Sequence, residues 1–389
     1  MKQIITTVLT LGLLTFSRAA LAEQLIAKIS PPPGYATSFG SLMTMDEEYV
    51  AVADDGAVHI YSAHNGDFLR TIQFTPAIIP AAVLLMNGRV IVSNTVYGSV
   101  HVLEAATGDL ITTIGLPEGT RFYDQGTYKD PFFGWQLAKV GPYFYISCPT
   151  VINEARQSGG AVYKYDFSSS SPIQVIRNPL RGSRLFGQRM STAGEKLLVG
   201  CGVQSEYYIE PQDSWWFPRY RATYQFLVNG SGKAGKVRFH GIASTCEASD
   251  GQNVWVAAMP PIGDQAYSIL CYSKGGKFRY GVTEQPEWPG AGLGESMVLN
   301  GTELFCGSLF QAYNGNVNVF NVASHGELVR SIHNPESNSS HEFGRNIVCT
   351  QSRVLVGAIQ TDQTQATVKE GEGGYSYGWN GVAYLFGRN

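Results

Sequence analysis

Several short segments contain residue types that could do chemistry, and most of them lack the rest of the motif. Gly230-Ser-Gly-Lys-Ala-Gly235-Lys236 comes close to a phosphate-binding loop, but Val237 stands where a Ser or Thr should follow. Such a loop must run into a helix whose N–H groups point at phosphate, whereas Val237-Arg-Phe239 continues as a strand pattern. The segment reads as a Gly/Lys hairpin between two strands. Gly290-Ala-Gly-Leu-Gly294 has neither the spacing nor the βαβ frame of a dinucleotide fingerprint. Gly294-Glu-Ser296-Met-Val298 lacks the second Gly of a nucleophile elbow. The histidines fall at 59, 64, 101, 240, 325, 333 and 341, with no HExxH pair. No catalytic residue, metal site or cofactor is assigned from these patterns.

Six cysteines, at 148, 201, 246, 271, 306 and 349, show no close spacing and allow fifteen pairings. All fall in strand-like segments, so buried free thiols stand beside at least one disulfide as open alternatives. Carboxylates at Glu154, Glu206, Glu210, Asp213, Asp264 and Glu287 could pair as a glycoside hydrolase does, at about 5–5.5 Å or 6.5–9.5 Å. That supports an alternative reading as a glycan hydrolase or lyase.

Aromatic side chains are the stronger signal. Tyr207, Tyr208, Trp215, Trp216 and Tyr220 crowd one segment beside Arg219 and Arg221. Tyr375, Tyr377 and Trp379 crowd another, and Trp288 and Tyr313 add to them. Tyr, Trp and Arg anchor interfaces, and flat aromatic faces suit sugar rings. These ten Tyr and Trp residues are the candidate ligand-binding set.

The elements that would position them come from a repeat. Phe39-Gly40, Phe133-Gly134, Phe186-Gly187, His240-Gly241, Leu293-Gly294 and Phe343-Gly344 each open a unit, with a degenerate copy near Pro80-Ala81. An apolar strand follows about ten residues later, for example Tyr49–Val52, Leu197–Gly200 and Val354–Gly357. A third strand alternates, as in Gly56–Tyr61, Gly98–Leu103, Gly160–Tyr165, Gly315–Phe320 and Gly381–Phe386. A fourth ends in Ile, as in Leu69–Ile72, Ile111–Ile114 and Val329–Ile332. His59 and His101 share one column of this repeat with Tyr163, Tyr224, Asn318 and Tyr384, which marks a packing or hydrogen-bonding position.

Seven units of four short strands predict an all-β, seven-bladed β-propeller. The last unit stops at its third strand, and Leu25–Ile29 resembles the missing fourth. The N-terminal strand is therefore expected to complete the last blade and close the ring, protecting an otherwise open edge. Phe343-Gly344, Val354–Ala358 and Gly381–Phe386 together resemble the FG-GAP repeat family, whose propellers include the integrin α-chain head. The resemblance covers 25–389 and implies the fold rather than a ligand. The family's calcium loops are missing, because the short turns at 85–88, 140–142, 299–301 and 350–352 hold too few carboxylates.

Antiparallel strands put the 2–3 and 4–1 loops on one face. The expected long connections 148–160, 202–220, 259–266, 308–315 and 358–381, with 117–132, 283–292 and 333–342, all rise there. They carry the aromatic set, and long loops on a rigid scaffold are where binding resides.

Met1-Lys2, an apolar run from Ile4 to Phe16 and Ala20-Leu-Ala22 give residues 1–22 the order of a signal peptide. The run is too short to span a bilayer. Residues 23–389 would then form one exported domain, periplasmic or extracellular. The chain has 389 residues, 44 of them Gly, with 15 % charged and 12 % aromatic. That composition excludes disorder and collagen, and the absence of a basic cluster argues against nucleic acid. Asn229, Asn300 and Asn338 lie in glycosylation sequons. The reading is an exported, monomeric, non-enzymatic recognition or adhesion protein for a protein or carbohydrate ligand. A structural component of an exported assembly is a further alternative.

Overall fold

The computed structural model describes residues 23–35, 39–54, 56–122, 132–152, 159–179, 184–203, 222–228, 234–238, 244–258, 268–283, 293–309, 315–336, 342–361 and 379–388. Among these the chain is all-β apart from a 3₁₀ turn at Val322–Ser324. The strands form seven four-stranded antiparallel sheets. The N-terminal strand β1 (Gln24–Ile29) stands apart in sequence from the sheet it joins. The first sheet holds β2 (Leu42–Met45), β3 (Tyr49–Asp54), β4 (Ala57–Ser62) and β5 (Phe68–Gln73). The second holds β6 (Val83–Met86), β7 (Arg89–Asn94), β8 (Ser99–Glu104) and β9 (Leu110–Gly115). The third holds β10 (Leu137–Val140), β11 (Tyr143–Cys148), β12 (Ala161–Tyr165) and β13 (Gln174–Arg177). The fourth holds β14 (Arg184–Ala193), β15 (Lys196–Val203), β16 (Ala222–Val228) and β17 (Ala234–Arg238). The fifth holds β18 (Ser244–Ser249), β19 (Asn253–Ala258), β20 (Ser268–Ser273) and β21 (Phe278–Thr283). The sixth holds β22 (Leu293–Asn300), β23 (Glu303–Ser308), β24 (Asn316–Asn321) and β25 (Glu327–His333). In the seventh, β26 (Asn346–Cys349), β27 (Arg353–Thr361) and β28 (Trp379–Gly387) are followed in space by β1.

The arrangement is propeller-like. Second strands such as Val50–Ala53 and Val90–Val92 are fully buried, because each sheet is covered by a neighbour on both faces. The first strands touch those of the next sheets: β2 with β6, β6 with β10, β10 with β14, β14 with β18, β18 with β22, β22 with β26, and β26 with β2. Polar contacts follow the same path. Lys139 Nζ donates to the Leu85 carbonyl at 3.0 Å, Thr192 Oγ1 to Lys139 O at 2.7 Å, and Asn346 Nδ2 to Ser41 O at 2.8 Å. Arg189 meets the buried Glu247 carboxylate at 3.5 Å.

The Phe-Gly pairs have a steric reason, clearest between the sixth and seventh sheets. Phe343 is fully buried, 5.7 Å from the Tyr384 ring of its own sheet. Gly344, at φ +97°, and Gly315, at φ +73°, adopt backbone that side-chain-bearing residues avoid. A Cβ on Gly315 would lie 2.3 Å from the Phe343 carbonyl oxygen. One glycine thus admits the Phe-Gly backbone of the following sheet, and burying the Phe ring contributes about 1.5–3 kcal/mol.

The outer strands carry a second recurrent device. In five sheets the outer pairing slips by one residue near its start, at Leu25/Ala27, Ile60/Tyr61, Val102/Leu103, Cys271/Tyr272 and Val319/Phe320. Bulges at that place twist the edge strand and discourage pairing with another chain.

The hairpin expected around Gly230 is present as β16 paired with β17. One boundary needs correction. Trp379, placed in a loop by sequence, begins β28 and pairs with Thr361, so the connecting segment is 362–378. Cross-strand pairing runs past Gly381 because Asn380 and Trp379 continue the ladder opposite Gln360 and Thr361.

Candidate functional site

The observed strand ends keep the asymmetry of connections. Connections 149–160, 204–221, 259–267, 309–315 and 362–378 join second to third strands, and 116–136 joins the second and third sheets. First and second strands are joined by tight turns throughout, as at 87–88, 141–142 and 301–302. Tyr207, Tyr208, Trp215, Trp216, Tyr220, Trp288, Tyr313, Tyr375 and Tyr377 lie outside the described residues, as does the side chain of Trp379. The carboxylates Glu154, Glu206, Glu210, Asp213, Asp264 and Glu287 lie outside them too.

None of the six cysteines is in a disulfide; four are buried and two half-buried. Burial pushes the Cys148 thiol up to about 12 and those of Cys246 and Cys271 to about 11. Such thiols are poor nucleophiles. No group of three or more His, Cys, Asp or Glu that could hold a metal occurs among the described residues.

The described residues do contain one built cleft, of about 410 Å³, between the first and second sheets. One wall is Ile72, Gln73 and Phe74 with the segment Thr75–Pro76 and Ile78. The other is Asn94, Tyr97, Ser99, His101 and Leu103, with Gly108 and Leu110 at the far end. Strand geometry explains the lining. Ser99, His101 and Leu103 alternate along β8, so their side chains share one face. Asn94 ends β7, is 3 % exposed, and its Oδ1 has no hydrogen-bond partner. Tyr97 stands at the rim, 66 % exposed. Among the described residues no Asp, Glu, Lys or Arg lines the cleft.

His101 Nδ1 lies 3.1 Å from Thr113 Oγ1, and its ring sits 5.6 Å from that of Phe74. Burial lowers its pKa, so the imidazole is neutral at pH 7. The equivalent His59 of the first sheet repeats the pairing, Nδ1 to Thr71 Oγ1 at 2.9 Å. The shared repeat column is thus a hydrogen-bonding position, as its residue types imply. The two sites differ in what covers them. Tyr35 stands edge-on over His59 at 4.6 Å, and Phe39 at 5.9 Å completes the enclosure, leaving His59 fully buried. Against His101 only Phe74 makes a ring contact among the described residues, and the cleft lies open.

The opening traces to the degenerate repeat start. The Gly56 N–H donates to the Ile78 carbonyl at 2.9 Å, so Ile78 meets the preceding sheet where Phe343 meets Gly315. Ile78 is 3 % exposed, and Ile79 is turned out to solvent at 62 %. The boundary where Ile78 takes the place of the Phe ring is the one beside which the cleft opens. Asn94, Tyr97 and Phe74 were missed as site residues. The available signal was the repeat unit near Pro80-Ala81, which has neither the Phe nor the Gly at its start.

No family model matches the chain, and no curated protein matches it. The solved structure described as Kuenenia stuttgartiensis hydrazine synthase is similar in fold, with a TM-score of 0.57 and 12 % identity over 85 % of this chain and 99 % of that one. At that identity the likeness concerns the fold alone, and the chain shares a β-propeller fold with that protein.

Proposed function

We propose that the chain is an exported, monomeric recognition module that binds a protein or glycan ligand through its loop-bearing face and performs no chemistry. In this reading its seven sheets are the blades of one closed ring, with FG-GAP-like repeats and the N-terminal strand completing the last blade. The pairing of β1 with β28 and the succession of contacts from β2 round to β26 and back support the closure. The resemblance to FG-GAP repeats rests on the Phe-Gly and third-strand glycine positions.

One observation carries the binding reading. The longest connections belong to one end of the sheets, while the opposite end holds tight turns and, at 166–173, one connection of intermediate length. Variation confined to one end of a stiff scaffold is what a recognition surface requires. The test replaces 204–221 by a short Gly-Ser turn and compares both proteins on a glycan array and in a cell-surface pull-down. A ligand captured by the parent chain and lost on replacement supports the reading. Absence of any ligand for the parent chain on both platforms overturns it.

A further inference from the structure

We propose that the cleft between the first and second sheets seats one ring of a neutral saccharide. The seat belongs to the first and second sheets, whereas 204–221 joins two strands of the fourth, so either reading can fail without the other.

Charge sets the ligand class. Among the described residues no acid or strong base lines the cleft, and His101 is held neutral by burial. An anionic ligand would find no counter-ion there, and a cationic one no carboxylate. Polar groups are nevertheless close together. Asn94, Ser99, His101, Gln73 and Thr75 surround one space whose remaining wall is apolar. A ring with hydroxyls on its edge and C–H groups on its face matches that division.

The buried amide makes this a built site. Asn94 is 97 % removed from solvent by its own 3 % exposure, yet its oxygen has no partner. A buried acceptor left unmatched costs about 1–3 kcal/mol. The side-chain amide torsion is soft, so a small rotation turns either end toward a ligand hydroxyl. His101 offers Nε2, since Thr113 engages Nδ1.

The first sheet supplies an internal precedent. There the same His–Thr pair is covered by the ring of Tyr35, whose hydroxyl accepts from Gln73 Nε2. The protein fills that place with a ring bearing one hydroxyl. In the second sheet the ring against His101 is that of Phe74, at 5.6 Å and without a hydroxyl, the space beside it is open, and Tyr97 stands exposed at the rim to stack on whatever enters.

The experiment is saturation-transfer NMR with calorimetry on the full chain, using cellobiose, maltose and lactose, with glucuronic acid and indole as contrasting probes. Saturation transfer from at least one neutral disaccharide, and none from glucuronic acid, is expected. Asn94→Ala and Tyr97→Ala should each weaken binding about tenfold or more, while Glu195→Gln on a distant turn leaves it unchanged. Tyr97 is exposed, so its variant folds even where Asn94→Ala does not. The proposal is overturned if no neutral disaccharide binds at 10 mM as a chosen concentration of about that order. It is equally overturned if indole alone binds, or if Tyr97→Ala and Asn94→Ala bind as the parent does.

Discussion

Arg330→Met should loosen the N-terminal strand from the rest of the fold. Arg330 Nε donates to Glu23 Oε1 at 2.7 Å, and its terminal nitrogens also contact Glu23 and Glu303. Arg388 holds the other oxygen of Glu303 at 2.8 Å, and both guanidiniums lie over the Phe305 ring. Glu23 immediately precedes β1, so this cluster ties that strand to the sixth sheet. The Glu23 side chain is 4 % exposed, that of Arg330 15 % and that of Glu303 23 %. Breaking a fully buried pair costs about 3–5 kcal/mol and an exposed one about 0–1. Glu303 keeps Arg388, whereas Glu23 loses the arginine that holds it, so about 2–3 kcal/mol is expected. Met keeps most of the volume, which confines the effect to charge and hydrogen bonding. The assay is urea unfolding of the parent, R330M, E23Q and the double variant. A coupling of about 1.5 kcal/mol or more between the two positions is expected. Acid titration adds a second reading. The Arg330 hydrogen bond, followed by that of Arg388, holds the Glu303 carboxyl below its ordinary 4.5. A depressed carboxylate stabilises above its unfolded pKa and loses that contribution as pH falls through the folded one. The parent should therefore weaken below about pH 4.5, and R330M should show a smaller acid-side loss. A coupling under about 0.5 kcal/mol with an unchanged acid limb would refute the argument.

Gly315→Ala should cost about 3 kcal/mol or more in thermal or urea unfolding, because it combines a positive φ with a clash against the Phe343 carbonyl. A thiol reagent at pH 8 should label few of the six cysteines in the native chain and all six after denaturation, since none is in a disulfide, four are buried and burial raises the pKa of Cys148, Cys246, Cys271, Cys306 and Cys349. Ile78→Phe should fill the cleft with a change in stability under about 1 kcal/mol, since it restores the ring other boundaries carry. A loss of 2 kcal/mol or more by urea unfolding would mean that the space is already packed.

The repeat was legible because it rests on positions where few residues fit. Gly315 and Gly344 must be glycine for backbone to pass backbone, and Phe343 must be large to fill its sheet. Such constraints recur at fixed spacing, so a single chain displays them several times. The His59 and His101 column was legible for the same reason, since Tyr and Asn at equivalent positions share the capacity to hydrogen-bond. The cleft was not legible. It depends on Ile78 rather than Phe meeting Gly56, and on Tyr35 and Phe39 together enclosing His59 while Phe74 alone of the described rings reaches His101. Those are contacts across sheets, set by a chain path that periodicity does not record. Trp379 was misread because Gly381 looked like the strand's start, whereas pairing opposite Thr361 extends the hairpin by two residues. The thiols stayed ambiguous in sequence because pairing is decided by distance.

Two kinds of departure from the repeat therefore meet at one end of the molecule. Long connections leave second strands there, and Asn94, which ends β7, and Tyr97, which follows it, lie at the same end. Thr75 to Ile78, the opposite wall, follow β5 at the same end. The far end keeps tight turns between first and second strands and bulged edge strands, and such bulges discourage pairing with another chain. A repeated scaffold gains a ligand site in two ways: by inserting chain beyond the strands, or by omitting a side chain that seals a boundary. The second leaves a pocket whose walls are already rigid, since β8 keeps its pairing with β7 and β9 on both sides. A site of that kind needs no ordering of loops on binding, so its affinity should change little when the 204–221 loop is replaced.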